Sequence, residues 1–116
     1  MANFRVERIE PVLRVEDMQA SLKFYVEILG FNKASWSNDT FAGVARDSGS
    51  LYLCVSDQGR GGAWLWIGVD NVEPLYADLK ARGITVLLPP TDFAWGREFR
   101  VSDPDGNVLR FGSGAK

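Results

Sequence analysis

The chain has 116 residues, of which 46% are hydrophobic and 24% are charged, and its net charge is −2. This composition is typical of one globular domain, and without a basic run or an apolar stretch of roughly 18 residues we expect neither a nucleic-acid partner nor a membrane span. The sequence contains no histidine, which excludes every histidine-dependent catalytic triad and the most common metal ligand.

The first half of the chain predicts one strand, one helix and three further strands. Hydrophobic spacing and turn residues place a strand at 9–15, a helix at 18–29, and strands at 31–38, 39–47 and 50–56. Asp17 suits the N-cap of the helix, and Gly30 suits its left-handed end. The N-terminus lacks a signal-peptide pattern, and the only cysteine, Cys54, cannot form an intrachain disulfide, so we expect a cytoplasmic protein.

The second half repeats this order of elements after the connector at residues 58–62. The predicted elements are a strand at 63–69, a helix at 72–82, and strands at 84–90, 97–103 and 107–112. Val15 aligns with Val69 and Asp17 with Asn71 at an offset of about 54 positions, which indicates an internal repeat. We therefore predict an α+β domain of two βαβββ modules, at about 5–58 and about 62–113, with curved mixed sheets around a concave cavity.

Trp64 and Trp66 lie one residue apart in the predicted strand at 63–69. Side chains at i and i+2 share one face of a strand, so both indoles point the same way. Leu65 and Ile67 suit the core beneath the helix, which leaves the indoles on the concave face. We predict that they contact a ligand there; the alternative is that they are packed scaffold.

Three motifs, VEDMQASLKFYVEILGF, VEPLYADLKARGI and DPDGNVLRF, cover nearly the whole chain. In this duplicated arrangement they resemble the vicinal oxygen chelate superfamily, which contains glyoxalase I, extradiol dioxygenases and fosfomycin resistance proteins. Within it, the segments PVL, FAGVARD, AWLWI and WGREF…DPDGN are most similar to the bleomycin resistance proteins. The resemblance implies a homodimer with an N-terminal arm exchanged near Pro11 and two ligand crevices at the dimer interface.

Metal-dependent members of the superfamily carry ligands at positions that correspond here to Glu10, Leu53, Trp64 and Arg110. Only Glu10 is a metal-ligand type, and one carboxylate cannot supply the three or four donors that a divalent ion needs. Arg110 moreover brings a fixed positive charge to the place of the cation. We therefore predict no metal and no cofactor, and we expect Glu10 and Arg110 to pair, because a buried unpaired charge is costly.

The resemblance also implies roles for aromatic residues in other segments. Trp95 corresponds to a tryptophan that stacks on the flat bithiazole of bleomycin, and Phe41 to the aromatic residue that closes the other side of the stack. Trp36 and Tyr52 fit cavity lining and sheet packing equally well. The charged residues at 97–98 are expected to fix their loop by hydrogen bonds.

The leading hypothesis is a non-catalytic protein that sequesters a planar, cationic antibiotic of the bleomycin type. One alternative is a binding module for another antibiotic or hydrophobic metabolite, and another is a metal-dependent lyase, isomerase or dioxygenase. The predicted ligand-binding residues are Glu10, Trp36, Phe41, Tyr52, Trp64, Trp66, Trp95 and Arg110.

Overall fold

A computed structural model describes residues 2–114, which form two four-stranded sheets and two helices. The elements of the first half are β1 (Val12–Arg14), α1 (Met18–Leu22) with a π-helical continuation (Lys23–Ile28), β2 (Asn32–Lys33), β3 (Phe41–Arg46) and β4 (Gly49–Cys54). Those of the second half are β5 (Trp64–Gly68), α2 (Val72–Ala81), β6 (Val86–Phe93), β7 (Gly96–Ser102) and β8 (Val108–Gly114).

The two sheets have the same topology. The strand order is β1-β4-β3-β2 in the first sheet and β5-β8-β7-β6 in the second. In each sheet the first strand runs parallel to the last, and the remaining pairs are antiparallel. The predicted α+β class is confirmed. Across residues 2–114 the chain forms no helix with the length and apolar character needed to cross a membrane.

The first helix differs from the single helix predicted over 18–29. It begins as predicted, because the Asp17 carboxylate accepts hydrogen bonds from two backbone N–H groups of the first turn, at 2.9 and 3.3 Å. It also ends as predicted, at Gly30, whose φ is 75°. Between these points α1 gives way to the π-helix, which buries the adjacent side chains of Phe24 and Tyr25.

Three predicted strands have the wrong bounds, and the first of them, predicted at 9–15, covers only Val12–Arg14. Most of the strand predicted at 31–38 is absent, because the Ser37 backbone N–H donates to the Ala34 carbonyl at 3.1 Å and closes a turn that includes Trp36. The Asn38 side chain holds the next turn, since it accepts hydrogen bonds from the N–H groups two and three residues later. In the second half, β6 continues beyond its predicted end to Phe93. Trp95 therefore lies in a two-residue turn between β6 and β7 rather than in a longer loop.

One face of each sheet packs into a common hydrophobic core beneath the helices. In the first sheet Leu13 and Val15 are buried, as their alternation predicted. In the second sheet Leu65 and Ile67 pack against the same core. Because successive side chains of a strand point to opposite faces, the other face of each sheet is directed away from this core.

The turn between β7 and β8 joins the two halves through polar contacts, of which the one between Tyr25 and Asp103 is buried. The Tyr25 hydroxyl donates to Asp103 Oδ2 at 2.8 Å. The Asp105 carboxylate accepts from the backbone N–H of Glu16 at 2.8 Å and from Ser21 Oγ at 3.3 Å. Burial, and next the charge of Asp103, raise the pKa of Tyr25, so its hydroxyl remains a donor at neutral pH.

Candidate ligand-binding faces

Three aromatic side chains lie together on the face of the first sheet directed away from the core, and we call Trp36, Phe41 and Tyr52 the first aromatic face. Trp36 stacks on Phe41 with ring centroids 6.0 Å apart and planes 27° apart. The Tyr52 ring lies 5.8 Å from Trp36 and 5.2 Å from Phe41. The indole lies over Gly43, where a Cβ would come within 2.7 Å of Trp36 Cζ2. The absence of a side chain at Gly43 therefore lets the ring lie against the strand.

Charged residues of the N-terminal arm and β2 adjoin this face. A cavity of about 460 Å³ is lined by Tyr52 together with Arg8, Glu10 and Lys33, among others. The predicted pair between Glu10 and Arg110 is wrong, because the Glu10 carboxylate forms a salt bridge with Arg8, two residues away. That interaction, and chiefly its hydrogen bond, raises the pKa of Arg8.

The two tryptophans of β5 lie on the face of the second sheet directed away from the core. Trp64 is 61% exposed and Trp66 is 50% exposed, whereas Leu65 and Ile67 turn toward the core. Trp66 lies over Gly112 of the neighbouring strand, where a Cβ would come within 2.1 Å of its Cη2 atom. Both indoles therefore have the predicted orientation, away from the core beneath the helix.

The last residue of β6 and the turn that follows it add two more rings to this face. Phe93 and Trp95 stack with centroids 5.2 Å apart and planes 3° apart. Trp95 also meets Trp66 edge to face at 5.1 Å. We call Trp64, Trp66, Phe93 and Trp95 the second aromatic face. Trp95 remains 43% exposed, so part of its surface is free for a ligand.

A buried carboxylate holds two guanidinium groups beside these rings. Glu98 in β7 is fully buried and accepts from Arg110 Nε at 2.6 Å and Arg110 Nη2 at 2.9 Å. It also accepts from Arg100 Nε at 2.7 Å. Hydrogen bonds from Arg110, supported by those from Arg100, lower the pKa of Glu98 against the opposing effect of burial. The carboxylate is therefore ionised at neutral pH.

Each of these guanidinium groups also lies over an indole. The Arg100 Cζ atom is 5.4 Å from the centroid of the Trp64 ring. The Arg110 Cζ atom is 5.2 Å from the Trp66 ring and 6.0 Å from the Trp95 ring. These distances are in the range of cation–π attraction. Glu98 thus fixes both guanidiniums, and through them the positions of three indoles.

The structure divides the predicted cavity residues between the two sheets. Trp36, Phe41 and Tyr52 meet one another on the first sheet, whereas the tryptophans of β5 and the following β6–β7 turn belong to the second. Among residues 2–114 every ring–ring contact of these side chains stays within its own face. The single chain therefore presents two aromatic faces where the sequence predicted one continuous lining.

The predicted orientation is wrong at one of the four positions that correspond to metal ligands. Leu53 is fully buried in the core, and its neighbour Tyr52 takes the outer face instead. Tyr52 is paired with Val12 of β1 in the same way as Arg110 is paired with Trp66 of β5. In the repeated topology Tyr52 thus occupies in the first sheet the place that Arg110 occupies in the second.

The residues at these positions do not fit a metal ion. Trp64 has no metal-binding group, Arg110 is bonded to Glu98, and Glu10 is paired with Arg8. Within the part of the chain that the structure describes, no three acidic, cysteine or histidine side chains come together in a metal-binding group. The arrangement suits stacking and hydrogen-bond donation rather than coordination.

Sequence reasoning missed Arg100 and gave Glu98 only a loop-fixing role. Arg97, for which the sequence also predicted a loop-fixing role, donates hydrogen bonds to Glu73 of α2 and, at 2.9 Å, to Asp92 of β6. The alternation in the strand predicted at 97–103 carried a usable signal, since it places residues 98 and 100 on one face. What the strand alone could not supply was the partner, Arg110, which lies beside them only through the pairing of β7 with β8.

The family model described as the Glyoxalase/Bleomycin resistance protein/Dioxygenase superfamily matches residues 5–111. The chain belongs to this superfamily. A bleomycin resistance protein of Geobacillus stearothermophilus is 32% identical over 124 aligned residues, which cover 87% of this chain and 92% of that protein. A probable lactoylglutathione lyase of Vibrio cholerae is 27% identical over 126 residues, covering 94% of this chain and 90% of that one.

A solved structure of the same superfamily fold is similar over almost the full length. The crystal structure of TnmS3, an antibiotic binding protein from Streptomyces sp. CB03234, has a TM-score of 0.82 and 26% sequence identity. The match covers 97% of this chain and 100% of TnmS3. The resemblance to the superfamily that the sequence motifs indicated is thereby confirmed, and the relatives bear the names of both binding proteins and enzymes.

Proposed function

We propose that this protein is a non-catalytic antibiotic-binding protein that sequesters a drug by stacking a planar group of the drug on its indoles. The observation that carries the proposal is the grouping of three half-exposed tryptophans, Trp64, Trp66 and Trp95, on one sheet face. Contiguous exposed aromatic surface of this kind is typical of binding sites. Each aromatic contact contributes about 0.5–1.5 kcal/mol beyond area burial, so several contacts together with the desolvation of apolar surface reach micromolar affinity without chemistry.

A second copy of the chain would complete the site. In a single chain, each aromatic face can contact only one side of a ligand ring. A homodimer in which the first face of one subunit lies opposite the second face of its partner would enclose the ring on both sides. The N-terminal arm supports an exchange between subunits, since Phe4, Val6 and Ile9 are 78%, 65% and 85% exposed before β1 begins. Light scattering on the purified protein is expected to give twice the mass of the chain. Removal of the arm is expected to weaken the dimer.

A bleomycin-type glycopeptide is the drug class that the relatives favour. The curated relative at 32% identity is named a bleomycin resistance protein, and TnmS3 is described as an antibiotic binding protein. In this proposal protection is stoichiometric, because the protein withholds the drug from its metal-activated attack on DNA.

Tryptophan fluorescence during titration with bleomycin tests this choice directly. We expect saturable quenching, and inhibition of bleomycin-dependent DNA cleavage that is complete near one drug per site. Absence of quenching at drug concentrations up to about 0.5 mM, where even weak specific binding is visible, would exclude bleomycin as the ligand.

A second candidate is another antibiotic or hydrophobic metabolite with a planar ring. The charge of the two faces favours it, because Arg100 and Arg110 outnumber Glu98 on the second face and Arg14 lies on the first, which favours an uncharged or anionic ligand over a cationic one. Ligands of this class would give the same quenching signature as bleomycin, so a screen of planar compounds by the same titration decides between them.

The enzymatic alternative has its own test. A relative from Vibrio cholerae is named a probable lactoylglutathione lyase. Metal analysis of the purified protein is expected to find far less than one divalent ion per chain. Glyoxalase-type turnover that disappears with a chelator would contradict the proposal of a non-catalytic protein.

A further inference from the structure

The second aromatic face carries a net positive charge, although the whole chain carries a net charge of −2. We propose, on the basis of the proposed binding function, that its ligand is a planar ring system bearing an anionic oxygen, a carboxylate or an ionised phenol, which Arg100 and Arg110 bind. This choice is opposite in charge to the cationic drug that the sequence predicted. The proposed charge of the ligand follows from the charged side chains on this sheet face and not from the net charge of the whole chain.

The register of the second sheet defines these charges. The side chains of β5, β7 and β8 that share the face of Trp66 include two guanidiniums, Arg100 and Arg110, and one carboxylate, Glu98. The other members of this set in those strands are uncharged, namely Trp64, Gly68, Gly96, Ser102, Val108, Gly112 and Gly114. The carboxylate neutralises one guanidinium, so one positive charge remains.

The two guanidiniums retain free donors. Arg100 uses Nε for Glu98, and Arg110 uses Nε and Nη2. Both terminal nitrogens of Arg100 and Nη1 of Arg110 make no hydrogen bond to any of residues 2–114. The Arg100 and Arg110 side chains are 27% and 32% exposed, so a ligand can reach part of each side chain. Charge-assisted hydrogen bonds from such groups to an anionic oxygen are stronger than those between neutral groups.

Their orientation is fixed before a ligand arrives. The buried carboxylate of Glu98 holds both groups from one side, and the indoles of Trp64 and Trp66 lie within 5.4 and 5.2 Å of them. Donors and stacking surfaces are therefore adjacent, as a ring with an acidic substituent requires. Preorganisation of this kind limits the entropy lost on binding.

The first aromatic face has the same sign of charge. The register of β1 with β4 places Arg14 on the same face as Tyr52, and the other strand positions of that face are uncharged. The Glu10 carboxylate of the adjoining cavity is paired with Arg8, so the charge of Arg14 is unbalanced. A ligand held between the two faces would meet net positive charge on both sides. This observation is independent of Arg100 and Arg110 and points to the same class of ligand.

The test uses three anthracene probes that differ only in one substituent, a carboxylate, a carboxamide or a methylammonium group. The anisotropy of probe fluorescence is followed as the full-length protein is added, up to about 1 mM. We expect the carboxylate to bind about tenfold more tightly than the carboxamide, and the methylammonium compound to bind most weakly. The preference for the carboxylate should diminish as salt is added, because partly exposed charges are screened.

Arg100→Gln and its matched control identify the source of the preference. Arg100→Gln is expected to remove most of the carboxylate-over-carboxamide ratio while carboxamide binding changes little, and Arg100→Lys to restore part of it. Arg97→Gln is the control, since Arg97 lies in the same strand but bonds to Glu73 of α2 on the opposite face. It should leave the ratio unchanged.

The possible outcomes separate this inference from the proposed function. Equal binding of all three probes, or tighter binding of the methylammonium compound, overturns the inference and leaves aromatic binding intact. If bleomycin binds but none of the three probes does, the inference is likewise overturned and the proposed binding function remains. If neither bleomycin nor any probe binds, both the inference and the binding function of these faces are wrong.

Discussion

The carboxylate of Glu98 and the guanidinium of Arg110 form a two-point hydrogen-bonded pair across β7 and β8, with donor–acceptor distances of 2.6 and 2.9 Å. The carboxylate is fully buried, whereas the Arg110 side chain is one-third exposed and its guanidinium lies over the indoles of Trp66 and Trp95. A buried charge without a partner is strongly unfavourable, so this pair requires both members. It also links the stability of the sheet to the geometry of the binding face.

Glu98→Gln is expected to lower the free energy of unfolding by about 2–3 kcal/mol, because the neutral amide cannot replace an ionised acceptor for two guanidiniums. Chemical denaturation at neutral pH measures this loss. Ligand affinity should fall as well, since Arg100 and Arg110 lose their orientation. A fully stable variant with unchanged affinity would show that the carboxylate does not organise the face.

The same carboxylate predicts a dependence of stability on pH. The pKa of Glu98 is lowered in the folded protein, first by Arg110, so its contribution is present above the ordinary pKa of a glutamate and is lost as the pH falls through the lowered folded value. Unfolding curves from about pH 7 to about pH 3 should therefore show the difference between wild type and Glu98→Gln diminishing in acid. A difference independent of pH would contradict the ionised state assigned to Glu98.

Trp95→Ala is expected to weaken ligand binding by about 1 kcal/mol or more, as for other aromatic anchors, with little change in melting temperature. Trp95 lies in a turn and is 43% exposed, so its removal opens no cavity in the core. Calorimetric titration and thermal unfolding measure the two effects separately. Trp36→Ala tests the first aromatic face in the same way, and a loss of stability equal to the loss of affinity would identify either indole as scaffold.

Gly112→Ala is expected to displace Trp66 and weaken binding several-fold. The added Cβ would come within 2.1 Å of the indole, which is half exposed and can move outward. Overpacking of this kind costs about 1–3 kcal/mol where the neighbour cannot yield, so we expect a smaller loss of stability here. Gly61→Ala is the matched control, because a Cβ there meets nothing within 4 Å. Equal behaviour of the two variants would contradict the placement of Trp66 over Gly112.

Tyr25→Phe is expected to lower the free energy of unfolding by about 1–2 kcal/mol, because it leaves the buried Asp103 carboxylate without one donor. The pKa of Tyr25 is raised in the folded protein, chiefly by burial. The wild type should therefore lose stability as the pH rises above about 10, the pKa of an unfolded tyrosine. The variant should lose less over that range, and denaturation curves at increasing pH measure the difference.

The local pattern of the sequence was sufficient for most of the fold. The alternation around Leu13 and around Trp64 decided which face each strand buries, since a strand has only two faces. Asp17 and Gly30 fixed the ends of the first helix through backbone hydrogen bonding and a left-handed φ. The same reasoning failed at residues 31–38, where a backbone turn from Ala34 to Ser37 interrupts the strand and the Asn38 side chain holds the turn that follows.

Only the tertiary structure decided which residues meet. Arg110 faces Glu98 because the register of β7 with β8 places both side chains on one face, whereas Glu10 pairs with Arg8 two residues away in the N-terminal arm. The division of the aromatic residues into two faces likewise depends on how the two sheets pack around one core. The sequence thus determined the elements, the repeated topology and the orientation of the indoles, whose causes are local. The sign of the charge at the binding face and the pairing of Arg110 with Glu98 depend on contacts between separate strands, which the folded structure alone establishes.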